Sequence, residues 1–149
     1  LPATPTEDMN MTLTLGDIET IADRACYDWL DRTLVTPIID TVQAQGDVLV
    51  VPVTRTAGAG AVDVPRSGVD VVRAVDGSHA HTLLAPDGGC RIVLRDSGSA
   101  DDLVIALIDS TETCYLLHAE HGATGLAPGR YEVRRQREFD AAEARRIAD

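Results

Sequence analysis

The histidines of this chain fall into two tight pairs, Ser78-His79-Ala80-His81 and His118-Ala119-Glu120-His121. On a strand, residues i and i+2 project from one face, so His79 and His81 can present two rings to one space, and His118 and Glu120 share that relation. His121 stands just before Gly122 and can swing in from a turn. Two such segments lying side by side would supply three or four nitrogen and oxygen ligands. Neutral imidazole with a carboxylate suits Zn²⁺ first, and otherwise Fe²⁺, Mn²⁺ or Ni²⁺. The candidate metal set is therefore His79, His81, His118, Glu120 and His121. A closed four-ligand set would be structural, whereas two histidines and a carboxylate with open positions would allow oxygen chemistry. Two other readings compete: histidines hydrogen-bonded at strand ends, and a surface whose charge changes on acidification.

Other chemistry is scarcer. All 13 basic residues are arginine, which excludes Schiff-base lysine chemistry and a phosphate-loop lysine. No Gly-x-Ser-x-Gly occurs, and Ser78 beside His79 is adjacency without a third partner. The glycines at 58, 60 and 68 lack the strand–turn–helix setting of a phosphate site. Cys26, Cys90 and Cys114 are odd in number and widely spaced, as buried thiols of a reducing compartment are; a Cys90–Cys114 disulfide is the alternative. Arg130, Arg134, Arg135 and Arg137 concentrate positive charge against Glu132 and Glu138. They offer forked donors to a partner's carboxylates or phosphates, or they protect an edge strand from aggregation.

The formal net charge is −11, which repels nucleic-acid backbones and anionic membranes and suits a cation or a basic protein partner. No charged-then-apolar leader and no bilayer-length apolar run is seen, so a cytoplasmic or virion location is expected. Hydrophobic residues make up 44% of the 149, enough for a packed domain, yet aromatics make up only 3%. The core must be built from Val, Leu, Ile and Ala, with Tyr27, Trp29, Tyr115, Tyr131 and Phe139 as the large fillers.

These side chains need elements to position them. Residues 1–16 read as an extended arm, with Pro2 and Pro5 and no apolar period, of the kind that lies against a neighbour in an assembly. Residues 17–46 read as a helical lead. Ile18, Ile21, Ala22, Ala25 and Trp29 recur at helical spacing and predict a helix over 17–33. Thr36 as cap, Pro37 at the first position and Gly46 as stop predict a second. Residues 47–149 read as a β-domain. Strands are expected at 47–54, 69–75, 79–84, 91–95, 103–109, 113–118 and 130–137, with a mobile loop over 55–68 and an acidic turn at 96–102. Asp140 and Glu143 would open a short last helix over 141–148. The fold class is mainly β: a small barrel or sandwich of about seven strands with two N-terminal helices and a short C-terminal one.

Two further comparisons follow from the motifs. His79-Ala-His81 is similar to the metal motif of cupins, but Thr82–Pro86 holds no carboxylate and no histidine follows Pro128-Gly129. Gln45-Gly-Asp-Val-Leu-Val-Val-Pro-Val53, the two histidine pairs, and Pro128-Gly-Arg-Tyr-Glu-Val-Arg-Arg-Gln-Arg-Glu-Phe139 together resemble a family of small uncharacterised bacterial and phage-associated proteins, over about residues 45–149. In that family the first pair often follows a glycine, where this chain has Ser78; the resemblance implies no activity. With no recognisable nucleophile, the expected function is a non-catalytic structural or accessory protein, concretely a phage-type capsid decoration or minor structural protein. It would form a homo-oligomer or join a larger assembly. The alternative is a small cupin-like metal-dependent enzyme built on the histidines.

Overall fold

A computed structural model describes residues 13–72, 79–95 and 104–135. Val, Ile and Leu at alternating positions drive the chain into short strands, because a half-buried pleated surface suits β-branched side chains. Two sheets result, facing each other as an open sandwich and not as a closed barrel. One sheet has the order β1 (Ile38–Ile39), β10 (Gly122–Leu126), β9 (Cys114–His118), β6 (His81–Leu84), β5 (Val69–Val72). The other has the order β2 (Gln43–Gln45), β3 (Val48–Pro52), β11 (Gly129–Arg135), β8 (Val104–Ser110), β7 (Cys90–Leu94), β4 (Val62–Asp63). Every pairing is antiparallel except that of β1 with β10.

The main core lies between the sheets and includes Val48, Val50, Leu83, Ile92, Ile108, Leu116, Tyr131 and Val133. A second cluster covers the outer face of the five-stranded sheet. There Leu15, Ile18 and Ala22 of helix α1 (Leu15–Ala22) pack on Leu84, Tyr115 and Leu117. This explains why β6 and β9 are buried along their whole length and carry no outward polar face. Of the expected fillers, Tyr115 and Tyr131 are core residues, while Trp29 is exposed and Phe139 lies outside the described residues.

The N-terminal lead departs most from expectation. Helix α1 starts earlier and stops sooner than 17–33. Thr14 and Asp17 form a reciprocal capping box, and Asp23 turns left-handed (φ 54°), ending the helix with its N–H on Glu19 and Thr20 carbonyls. The second expected helix is absent. Its Ile38 and Ile39 are β1, where the Pro37 carbonyl accepts from the Gly125 N–H and the Ile39 carbonyl from the Ala127 N–H. Gly125 permits this approach, because a Cβ there would stand 2.9 Å from Ile38 Cγ1. Gly46, at φ 61°, turns the β2–β3 hairpin instead of stopping a helix. The loop expected over 55–68 contains β4, and β10 was not expected at all. β11 lies between β3 and β8, so its arginines are not on an edge strand. The three cysteines are free thiols; Cys90 and Cys114 stand on different sheets and meet in the core without a disulfide. The arm residues 1–12, the turn at 96–102 and the helix at 141–148 fall outside the described residues. Among the described residues, no helix is long and apolar enough to cross a membrane.

Candidate functional site at the histidine end of the sandwich

The site begins with the register of two strands. β6 and β9 pair so that His81 stands directly opposite His118. Strand alternation puts His81 on the same face as Leu83, and His118 on the same face as Leu116, so both rings turn inward between the sheets. Only 2% of His81 and 7% of His118 is exposed. Their ring centroids are 4.3 Å apart. His121, an exposed residue of the β9–β10 turn, stacks on His118 at 4.7 Å. His79, just before β6, meets His118 edge-on at 6.0 Å. The two distant pairs thus converge into one cluster.

Hydrogen bonds fix where the protons sit. Gln45, at the end of β2, donates its side-chain amide to the Leu116 carbonyl at 2.9 Å. Its carbonyl oxygen is thereby turned toward His81 Nδ1, also at 2.9 Å, so Nδ1 must be the protonated nitrogen. Neutral His81 then presents a bare lone pair at Nε2, and that atom faces Asp47 Oδ1 at 3.3 Å. His118 has the opposite tautomer. Its Nδ1 accepts from the Glu120 backbone N–H at 3.2 Å, which leaves the proton on Nε2. His79 Nε2 pairs with the Tyr27 hydroxyl at 2.5 Å, and Tyr27 in turn stands edge-on to Trp29 with centroids 4.5 Å apart.

The electrostatics keep the buried pair neutral. Burial pushes the His118 pKa down to about 4, helped by His81 and His121 and opposed by Glu120. Burial also lowers His81, against the pull of Asp47. Cys26, whose thiol donates to the His118 carbonyl at 3.5 Å, is pushed up to about 11 by burial and then by Glu19, so it is no thiolate nucleophile. A cleft of about 280 Å³ beside the cluster touches Arg24, Cys26, His79 and Thr82.

Set against the expected metal set, the four histidines are brought together and Glu120 contributes its backbone, its side chain being exposed. The rings stack at tilts of 32° to 36° or meet edge-on, and among the described residues no three His, Cys, Asp or Glu side chains surround one ion position. Gln45, Asp47 and Tyr27 are the participants that residue spacing did not reveal. Gln45 and Asp47 do lie in the Gln45-Gly-Asp stretch that carried the family resemblance, which was the available signal. In the arginine strip, Arg130 bonds Asp109 at 3.3 Å and the Thr54 carbonyl, and Arg134 bonds Glu132 at 3.5 Å. Arg135 is exposed, and Arg137 lies outside the described residues.

A second feature lies in the lead. Of the exposed large hydrophobic residues in the described chain, Trp29 (74% exposed), Leu34, Val35, Ile38 and Val42 fall on one stretch, leaving only Val62 and Leu94 elsewhere. This stretch is tied down. The Arg32 guanidinium donates to the carbonyls of Cys26, Tyr27, Asp28 and Leu30 and to Glu19, and Glu19 also accepts from the Cys26 N–H.

A family model described as "Domain of unknown function (DUF8820)" matches residues 44–136, and the chain belongs to that family. No curated protein and no solved structure matches the chain. The histidine cluster, Gln45 and Asp47 fall inside the matched span, whereas Trp29 and its loop precede it.

Proposed function

We propose that this member of the DUF8820 family is a non-catalytic accessory protein that docks onto a larger protein assembly through the loop bearing Trp29. Decoration of a phage-type capsid, or a minor structural role in such a particle, is the concrete form. The observation that carries the reading is a tryptophan 74% exposed on a loop fastened by Arg32. Exposing a large aromatic ring gains nothing for the monomer. Presented on a rigid frame, it is suited to binding, because little conformational freedom is left to lose on contact.

Charge selects the kind of partner. The chain carries −11, and the stretch is edged by Asp28, Asp31 and Asp40. Two copies would bring like charges together. A different protein, with an apolar recess rimmed by basic residues, fits better. This favours the larger assembly over the homo-oligomer.

The test is site-specific photo-crosslinking in particles or lysate of the host. A crosslinking residue at Leu34 should give one dominant adduct that the Trp29→Ala change removes. The same residue at Val62, an exposed apolar site on β4, should give none. Equal adducts at both sites, or adducts indifferent to Trp29, would refute the proposal.

A further inference from the structure

The stretch that exposes its apolar side chains also exposes its backbone. β1 is the last strand of its sheet. It pairs with β10 in parallel, the Pro37 and Ile39 carbonyls accepting from the Gly125 and Ala127 N–H groups. Backbone groups of successive strand residues point to opposite edges, so the Ile38 N–H and carbonyl point away from β10. Among the described residues, that outer edge is covered at its start alone. The Leu34 carbonyl accepts from the Leu15 N–H at 3.0 Å, and the Thr36 N–H donates to the Leu13 carbonyl at 2.9 Å. At Ile38 no described residue continues the pairing. A free edge is ordinarily guarded by charge, a bulge, or a proline whose missing N–H lies along it. Pro37 gives no such guard, because its backbone faces β10. Ile38 itself is exposed, and the first carboxylate, Asp40, comes after the strand has ended.

We propose that an extended segment of the partner protein adds to this edge as a further strand, accepting from the Ile38 N–H and donating to the Ile38 carbonyl. This rests on docking through the lead for the partner's presence, and it specifies the backbone contact that the partner makes. In strand addition the main-chain bonds hold the segment and its alternate side chains select it. Because β1 is two residues long, the main-chain bonds are few and side chains must supply the rest. Leu34, Val35 and Val42, exposed on either side of β1 in the chain, offer apolar contact. Asp28, Asp31 and Asp40 are exposed carboxylates of the same stretch. The segment that fits both alternates β-branched with basic residues. The same carboxylates oppose edge-to-edge pairing of two copies, which would bring like charges together.

The experiment uses the whole ¹⁵N-labelled chain and, as probe, a synthetic peptide alternating valine with lysine. In the free chain the Ile38 amide should exchange with solvent as an unbonded amide does. The peptide should slow that exchange by at least about tenfold, and NOEs should join Ile38 to the peptide backbone. The same peptide N-methylated throughout, or one alternating valine with glutamate, should bind at least about tenfold more weakly. Ile38→Pro removes the donor and should weaken binding as much, whereas Ile38→Val keeps it and should stay within about threefold. Circular dichroism checks that each variant is folded, and the N-methylated peptide decides the matter if Ile38→Pro is not. An Ile38 amide already protected in the free chain would mean that this chain or a second copy fills the edge, and would overturn the proposal. Exchange unchanged by the peptide, or equal binding of its N-methylated form, would overturn it too. Protection of Ile38 together with Leu34 adducts indifferent to Trp29 would uphold the strand and refute docking through Trp29. Trp29-dependent adducts without protection at Ile38 would do the reverse.

Discussion

The lead and the histidine end depart from ordinary burial in opposite directions. In the lead, Trp29, Leu34, Val35 and Val42 face solvent. At the histidine end, His81, His118 and Gln45 are buried among strands whose neighbouring positions, Leu83 and Leu116, are plain core. Leaving a large ring in water forgoes the roughly 1.5–3 kcal/mol that burying it would contribute. Burying an imidazole requires partners for both nitrogens, since an unsatisfied polar group costs on the order of 1–3 kcal/mol. Neither choice is explained by stability of the isolated domain. Places where local preference and fold disagree are where function is expected. The family match divides them, with the polar interior inside residues 44–136 and the apolar exterior before them.

The contrast can be broken in steps, and the ordinary interior sets the scale. Leu116→Ala, two residues before His118, should cost about 3 kcal/mol through lost burial and a cavity, read from urea midpoints. An effect below about 1 kcal/mol would mean that this end of the sandwich is loosely packed.

Acidification should come next. Burial pushes the folded His118 pKa down to about 4, below the ordinary 6.5 of an unfolded chain, so the unfolded chain takes up more protons between those values. The stability contributed by keeping His118 neutral is complete above the unfolded pKa and falls as pH drops from about 6.5 toward 4. The groups facing it are His79, His81, His121 and Glu120, with Asp47 beside His81. Lowering pH from 7 to 4.5 should cost on the order of 1–3 kcal/mol, and His118→Gln should flatten that slope. A flat profile in the parent chain would show the pair already charged.

Gly46→Ala should cost about 1–2 kcal/mol, because the turn needs φ of 61° and the new Cβ meets His121 at 3.0 Å. The loss should shrink in the Gly46→Ala/His121→Ala pair. Trp29→Ala should be smallest, within about 0.5 kcal/mol, since the ring is mostly in solvent. A large loss there would make Trp29 a structural residue and remove the case for docking.

Much of the β-domain was legible. Val48, Val50, Ile92, Ile108 and Leu116 announced their strands by apolar runs and alternation. The histidine pairs were legible as a set because i, i+2 spacing projects to one face, and register did the rest. The lead was not. Ile18 and Ala22 carry a true helical stripe, but Ala25 and Trp29 extended it by coincidence past Asp23, whose left-handed backbone stops the helix. Ile38, Ile39 and Val42 fit either period, and only a pairing with β10, made possible by Gly125, decides for strand. Gln45 and Asp47 could not be assigned roles from spacing, because they reach the histidines across the gap between sheets. The arginine strip misled for a similar reason: nothing local tells that β3 and β8 flank it.

The chain's one tryptophan makes the docking loop directly observable. Acrylamide quenching and anisotropy of Trp29 in the free chain, over a range of protein concentration, measure its exposure and its rigidity together. The account predicts red-shifted emission, ready quenching, anisotropy close to that of the tumbling domain, and no change with concentration. Blue-shifted emission shielded from quencher would contradict it, since the ring would then be covered before any partner arrives.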